Sequence, residues 1–222
     1  LSEKNLQLPK NFFKDKICAD LGCGSTGAGA LNLLNLGAKE VHLMDMHKHI
    51  FKPISQNLKK YKGKFKLHVG SLEKLPFKKD FFDFVLCQGV IHHMDNDKKG
   101  FKEIHRVLKK GGKTHIVVQG DGGLIPKIMY QVIIPQYKKD PKVKKLLNEV
   151  MYNKVSKYKN FFNSNLNSKG ANLLKFLLKY FDEDFRLTVK DRVLSPNYYQ
   201  YDEKKLIKNL SKLGLKKTYR IK

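Results

Sequence analysis

The segment ICADLGCGSTGAGALNLL, residues 17–34, places an apolar strand, a glycine-rich turn and a helix in direct succession. Glycine lets the backbone pass close to a ligand because it has no Cβ, and the amino terminus of the following helix favours negative charge. The segment therefore predicts a ligand-binding turn at the end of a strand. Taken alone, it also fits a dinucleotide site or a plain tight turn.

A second acidic residue, Asp45, ends the next predicted strand in the segment VHLMDMH. A carboxylate at the carboxyl end of a parallel strand, roughly 20 residues beyond the glycines, is placed to accept both hydroxyls of a ribose. The combination favours a nucleotide-like ligand. The alternative is a solvated aspartate at a strand end.

Short apolar runs alternate with helix-like stretches from Lys16 to Val118, which is typical of β-α units around a parallel sheet. The clearest helix covers residues 97–110, with Gly111 and Gly112 as its stop. The predicted fold is a doubly wound, mostly parallel α/β sheet of the Rossmann-like kind. The predicted strands are residues 17–21, 41–44, 65–69, 84–88 and 114–118.

The pattern changes after the fifth strand, because residues 121–181 carry helical signals and no alternating strand signal. We expect a helical insertion within a single domain of residues 1–222, lying as a lid over the substrate cleft. Asp140 and Pro141 should open one of its helices. In the tail, Asp202 should cap a helix and residues 215–221 should form a sixth strand. A seventh strand is expected to be missing, removed with an extension, or supplied by residues 185–190.

The formal net charge of +25 over 222 residues is the most unusual feature of the composition. Clustered cations favour nucleic acid or anionic membrane partners. The arginines are only four, however, namely Arg106, Arg186, Arg192 and Arg220, and the lysines are spread along the whole chain. Since specific phosphate and base recognition favours arginine, we interpret the charge as a solvated surface and treat nucleic acid as the less favoured partner.

The three cysteines, Cys18, Cys23 and Cys87, lack the spacing of a disulfide framework or a zinc site, so no metal is expected. The apolar runs are too short for a membrane span, and no secretion leader is apparent. We therefore expect a soluble, cytoplasmic protein. The sequence does not predict its oligomeric state.

Five motifs occur in a characteristic order. They are DLGCG at residues 20–24, Asp45, GSLEKLPF at residues 70–77, FDFVLCQGVIHHM at residues 82–94 and EIHRVLKKGG at residues 103–112. In this order and spacing the chain resembles the class I S-adenosylmethionine-dependent methyltransferases of the small-molecule and quinone-biosynthesis type. The resemblance covers about half of the chain. It departs from the family at Ser25 and Thr26, which lengthen the glycine turn, and at Ser71, where the family often has Asp.

The resemblance implies a cofactor site for S-adenosylmethionine, with S-adenosylhomocysteine as product. Gly22 and Gly24, with Asp20 nearby, would hold the methionine end, and Cys23 belongs to the same turn. Asp45 would bind the ribose and Met46 would pack on the adenine. The remaining cofactor residues would be Ser71 and Leu72 at the adenine edge and Gln88 near the methionine moiety.

His92 and His93 follow the fourth strand, at the edge where ligands bind in such sheets. A methyl acceptor with a hydroxyl group benefits from a general base, and histidine has the right pKa range. Both histidines are therefore catalytic candidates, with His93 preferred. The alternative is a purely structural pair. The candidate substrate residues are Asp121, Tyr130 and Tyr199.

The leading hypothesis is methyl transfer to a small metabolite or a lipid-like molecule. An RNA methyltransferase is the second hypothesis, suggested by the charge. Against it, the fourth-strand motif reads Cys87-Gln88-Gly89-Val90 and lacks the Asn/Asp-Pro-Pro-aromatic pattern associated with methylation of base amino groups. A catalytically inactive, methyltransferase-like interaction domain is the third.

Overall fold

The computed structural model describes residues 2–121, 131, 133–152, 190, 193–195 and 199–216. In these residues the strands form one sheet in the order β3-β2-β1-β4-β5, and all neighbouring strands are parallel. The strands are β1 (Ile17–Leu21), β2 (Glu40–Asp45), β3 (Phe65–Val69), β4 (Phe82–Gln88) and β5 (Leu108–Val117). Each predicted strand is therefore confirmed, and the predicted fold class is correct.

The described residues also form helices between and after these strands. The α-helices are α1 (Ala28–Asn35), α2 (Phe51–Asn57), α3 (Asp97–Val107), α4 (Ile134–Lys139), α5 (Pro141–Tyr152) and α6 (Glu203–Lys212), and the 3-10 turns are Lys48–Ile50, Lys59–Tyr61 and Ile91–His93. Helix α5 begins at Pro141 as predicted, and Asp202 caps α6 by accepting a hydrogen bond from the Lys205 amide at 2.8 Å. None of the described helices has the length and apolar character needed to cross a bilayer.

The strand order creates one switch point in the sheet. The chain runs outward from β1 to β2 and β3, then returns to place β4 on the other side of β1. Loops that leave β1 and β4 therefore diverge at their carboxyl ends, and ligands bind in the crevice between such loops. This position coincides with the glycine-rich turn predicted to bind a ligand.

Two apolar layers hold the sheet from its two faces. One layer joins α1 and α2 to the sheet through fully buried residues such as Leu33, Ile54 and Leu43. The other joins α3 and α6 to it through buried residues such as Ile104 and Leu210. Because both faces are covered, the central strands are apolar throughout, as parallel sheets require.

Two local predictions need correction. Helix α3 ends at Val107 and not at residue 110, because Leu108 is extended and pairs with Phe82 at the start of β5. Gly111 and Gly112 consequently lie inside β5 and do not stop the helix. The amino-terminal segment before β1 forms turns that bury Leu6 and Phe13.

The chain divides into two compact units. The first unit is Leu1–Gly120 with Tyr199–Lys222, and the second unit is Asp121–Tyr198. Leu215 and Lys216 are not in a strand, and the rest of the predicted sixth strand lies outside the described residues. The alternative strand at residues 185–190 also lies outside them, except for Lys190.

Candidate cofactor site

The turn after β1 is held against the end of β2. The amides of Gly22 and Cys23 both donate to the carbonyl of Met44, at 2.8 and 3.2 Å. Gly22 has a φ of 72°, and a Cβ added there would lie 2.2 Å from Val90 Cγ2, so only glycine fits between the loops that follow β1 and β4.

Gly24 differs from Gly22 in what surrounds it. Its φ is 59°, and a Cβ added to it would meet no protein atom within 4 Å. The turn therefore exposes its backbone to open space at Gly24. A backbone without a Cβ beside open space is what the close approach of a ligand requires.

Asp20 lies under this turn, within β1, and is only 4% exposed. Its Oδ2 accepts a hydrogen bond from the amide of Ala30, in the first turn of α1, at 2.8 Å. Burial raises the pKa of Asp20 to about 6; the Ala30 amide lowers it, and the negative charge of Asp45 adds to the rise. The carboxylate is therefore ionised at neutral pH, but at a cost that a nearby cation would offset.

Gly29 explains how α1 comes so close to Asp20. A Cβ added to Gly29 would lie 2.6 Å from Asp20 Oδ2 and 2.6 Å from Leu86 Cδ2. Gly29 is not among the residues predicted for the site. Its position two residues after Gly27, on a helix that must pack directly on the sheet, is the signal that could have identified it.

Asp45 ends β2 at the same edge of the sheet. Its Oδ1 accepts from the His47 amide at 3.0 Å and lies 3.3 Å from His47 Nδ1. Two large apolar side chains are exposed beside it: Met46 is 67% exposed, and Val69, the register partner of Asp45 in β3, is 54% exposed. A carboxylate flanked by exposed apolar side chains suits a ligand that has both hydroxyls and a flat apolar ring. Val69 was also absent from the predicted site.

The loop after β3 contains the other predicted adenine residues. Ser71 Oγ accepts from the Glu73 amide at 3.2 Å, and Leu72 is buried in the core. Glu73 in turn accepts from the Asn96 amide at 2.9 Å. The loop is thus tied to the segment before α3, and the Leu72 side chain packs in the core.

Three further predicted residues lie at the end of β4 and in the loop that follows it. Gln88 is exposed at the end of β4, and Gly89 donates to the Val117 carbonyl at 3.0 Å. In the 3-10 turn that follows, His92 is 6% exposed and His93 is half-buried, with their ring centroids 4.2 Å apart. His93 is therefore the more exposed of the two histidines.

The predicted substrate residues have different outcomes. Tyr199 lies beside the 3-10 turn Ile91–His93, which we call the histidine turn. Its amide donates to the His92 carbonyl at 2.8 Å, and its hydroxyl donates to the Asp95 carbonyl at 3.0 Å. Asp121 is exposed and belongs to the second unit. Tyr130 lies outside the described residues.

The thiol of Cys23, in the glycine turn, is not ionised at physiological pH. Burial is the main reason that the pKa of Cys23 rises to about 12, and the carboxylates of Asp20 and Asp45 add to this effect. Cys23 is therefore a neutral thiol at physiological pH. Within the described parts of the chain, no group of three or more His, Cys, Asp or Glu residues could hold a metal ion.

Residues 19–116 match a family model described as "Methyltransferase domain". The match covers 98 of the 222 residues, and over this range the chain is similar to methyltransferase domains. The matched range contains most of β1, all of β2 to β4 and nearly all of β5, together with the turn at Gly22–Gly24, Asp45 and the histidine turn.

The chain is also similar to proteins of other organisms over part of their length. An uncharacterized protein of Methanocaldococcus jannaschii is 36% identical over 113 residues, which are 50% of this chain and 44% of that protein. The tRNA U34 carboxymethyltransferase of Campylobacter fetus is 32% identical over 140 residues, 61% of this chain and 49% of that protein. The chloroplastic 2-methyl-6-phytyl-1,4-hydroquinone methyltransferase of Arabidopsis thaliana is 32% identical over 104 residues, 46% of this chain and 30% of that protein. The chain thus spans less than half the length of these relatives.

Proposed function

We propose that this chain transfers a methyl group from S-adenosylmethionine to a small metabolite or a lipid-like acceptor. The observation that carries this proposal is the open space beside Gly24, at the edge of the sheet where the carboxylates of Asp20 and Asp45 also lie. The residues present fit the cofactor, because its cationic methionine end, its ribose and its adenine each have a chemically matched group there.

Each of these groups has a distinct task in the proposal. The backbone at Gly22 and Gly24 and the buried Asp20 hold the methionine end, and Asp45 accepts hydrogen bonds from the ribose hydroxyls. Met46 and Val69 cover the adenine with the apolar surface that they expose in the free protein. Ser71 and the Leu72 backbone line the adenine edge, and Gln88 closes the methionine end.

S-adenosylmethionine, when bound, supplies a methyl group that is already activated by its sulfonium. The chain then has to align the acceptor with that methyl group and exclude water. In this proposal His93, and less directly the more buried His92, acts as the base that takes the proton from an acceptor hydroxyl. We further propose that residues 121–181 determine the choice of acceptor. Asp121, Tyr130 and Tyr199 are the candidate substrate residues, and Tyr199 lies beside the histidine turn.

A small or lipid-like acceptor is supported by two observations. The fourth-strand motif Gln88-Gly89-Val90 lacks the pattern associated with base amino groups. The hydroquinone methyltransferase relative is similar over 46% of this chain. A direct test is to incubate the protein with methyl-labelled cofactor and a prenylated hydroquinone or bulk tRNA; label in the hydroquinone but not in tRNA supports this acceptor class, and label confined to tRNA overturns it.

The pH dependence of cofactor binding tests the role of Asp20. Since the pKa of Asp20 is raised to about 6, its carboxylate is ionised above that pH and protonated below it. If Asp20 attracts the cofactor's ammonium group, the affinity for S-adenosylmethionine should be constant above pH 7 and fall about tenfold by pH 5. Isothermal titration calorimetry measures this dependence.

The matched variant for this test is Asp20→Asn. Its amide oxygen still accepts from the Ala30 amide, but it carries no charge. We expect weaker binding that no longer changes between pH 5 and 7.5. An unchanged pH profile in the variant would assign the dependence to another group, and absence of binding by the native chain would refute the proposed function.

Methyl transfer to RNA is the second candidate. One part of the chain is rich in lysine and poor in acidic residues, so its net positive charge would attract the phosphates of RNA. Residues 21–72 contain eight lysines but only two acids, Glu40 and Asp45. Glu40 is already engaged, since its Oε1 accepts from Lys66 Nζ at 2.8 Å and contacts His42 Nε2. Lys59, Lys60, Lys62 and Lys64 are all exposed in the segment that leads into β3.

A salt titration of RNA binding shows whether RNA binds this lysine segment or is attracted only by the net charge of the whole chain. Changing these four lysines, Lys59, Lys60, Lys62 and Lys64, to glutamine should reduce the slope of log affinity against log salt by about 3 for a single-stranded RNA. The control changes the exposed residues Lys98, Lys102, Lys204 and Lys208 to glutamine, on α3 and α6. The affinities are measured by fluorescence anisotropy. An equal reduction of the slope in both quadruple variants would show that RNA binding depends only on the net charge.

A further inference from the structure

The chain re-enters the first unit through a short segment, residues 199–201, which we call the strap. The Tyr199 amide donates to the His92 carbonyl at 2.8 Å, and the Tyr201 amide donates to the Gln119 carbonyl at 3.0 Å. Tyr201 also forms a parallel bridge with Gly120. The strap therefore contacts both the loop that follows β4 and the segment that follows β5.

Two tyrosine hydroxyls of the strap bind the residues that follow the histidine turn and begin α3. Tyr199 donates to the Asp95 carbonyl at 3.0 Å, and Tyr201 donates to Asp97 Oδ2 at 2.8 Å. The Tyr201 ring meets Phe101 edge to face, with centroids 6.0 Å apart. Burial is the largest cause that raises the pKa of Tyr201, and the Asp97 carboxylate adds to it, so this hydroxyl remains protonated and donates.

The loop after β3 also binds the segment between the histidine turn and α3. Glu73 accepts from the Asn96 amide at 2.9 Å, and Asn96 caps α3 by accepting from the Lys99 amide at 3.1 Å. The backbone from His92 to Asp97 is thus held between the adenine-side loop and the strap. A turn fixed from both sides keeps one geometry, which is what a positioned catalytic group requires.

We propose that the strap positions the turn that carries His92 and His93, and that Tyr199 and Tyr201 are positioning residues for the acceptor side of the site. This inference rests on the proposed function. Both tyrosines act through the turn: their hydroxyls set where the turn lies, and the turn sets where His93 lies relative to an acceptor. Tyr199 is thereby given a role through Asp95 in addition to the substrate contact proposed above.

The test compares Tyr199→Phe and Tyr201→Phe with Tyr61→Phe. The control removes a hydroxyl that donates to Asn35 Oδ1 at 2.5 Å, between the turn Lys59–Tyr61 and α1, in the other apolar layer. Amide hydrogen exchange is measured for residues 91–96, with and without S-adenosylhomocysteine. The imidazole signals of His92 and His93 are followed by nuclear magnetic resonance from pH 5 to 8.

We expect exchange of residues 91–96 to be roughly fivefold faster in Tyr199→Phe and Tyr201→Phe, the size of effect that one lost hydrogen bond produces. The imidazole titration of His93 should shift in both variants and remain unchanged in Tyr61→Phe. Calorimetry with S-adenosylhomocysteine should give native affinity in all three. Exchange and imidazole signals equal to those of Tyr61→Phe would overturn the inference.

The two proposals fail in different ways. If the native chain does not bind S-adenosylhomocysteine, the proposed function fails whatever the tyrosine variants show. If it binds but the histidine signals do not respond to loss of either hydroxyl, only the positioning role fails. Once an acceptor is known, the strap variants should lower kcat while leaving the KM for S-adenosylmethionine unchanged.

Discussion

Gly24→Ala is expected to weaken S-adenosylmethionine binding at least tenfold while the protein remains folded. A Cβ at this position meets no protein atom within 4 Å, so it would project into the open space assigned to the cofactor. The φ of 59° is unfavourable for alanine and should lower the free energy of unfolding by about 1–2 kcal/mol. Calorimetric titration and chemical denaturation measure the two effects separately.

Gly63→Ala is the matched control for this experiment. Gly63 also has a positive φ, 86°, and a Cβ added there also meets nothing within 4 Å, but it lies between Lys62 and Lys64, before β3. Both variants should therefore lose similar stability, and only Gly24→Ala should lose cofactor affinity. Native affinity in Gly24→Ala would mean that the cofactor does not occupy this space.

Asp45→Asn is expected to weaken S-adenosylmethionine binding roughly 30- to 150-fold. Hydrogen bonds to a charged acceptor contribute about 1 to 1.5 kcal/mol more than neutral ones, and the proposed ribose contact involves two of them. The asparagine oxygen still accepts from the His47 amide, so the loop after β2 should keep its conformation. Binding is measured by calorimetry at pH 7.5.

Asp15→Asn controls for the loss of one negative charge. Asp15 is exposed with a φ of 61°, a conformation that asparagine tolerates, and it precedes β1 at the opposite edge of the sheet. Its affinity for the cofactor should equal that of the native chain. An Asp45→Asn variant that binds as tightly as Asp15→Asn would exclude Asp45 from the ribose contact.

The strands, and the positions of the candidate cofactor residues on them, could be predicted because their signals are local. Apolar runs bounded by glycine and lysine marked β1 to β5, and Asp20 and Asp45 follow directly from their places in β1 and β2. The end of α3 could not be predicted in this way. Leu108 leaves the helix because it pairs with Phe82, a contact made across 26 residues that no local glycine signal reveals.

Contacts between distant parts of the chain account for the other omissions. Tyr201 and Asp97 are 104 positions apart, so the strap is invisible in the sequence pattern. His42 and His68 are a second example: their rings stack with centroids 5.1 Å apart and are hydrogen-bonded at 3.0 Å across β2 and β3, a contact that the sequence pattern does not predict. Periodicity identifies which residues are buried but not which polar side chains meet.

The bridge between Gly120 and Tyr201 brings together the two ends of the segment that lies between them in sequence. The chain departs from the first unit and rejoins it at paired positions, so the register of the sheet does not depend on how many residues lie between them. On the proposed function, replacing this segment would change the choice of acceptor and leave the donor-binding residues of the first unit unchanged.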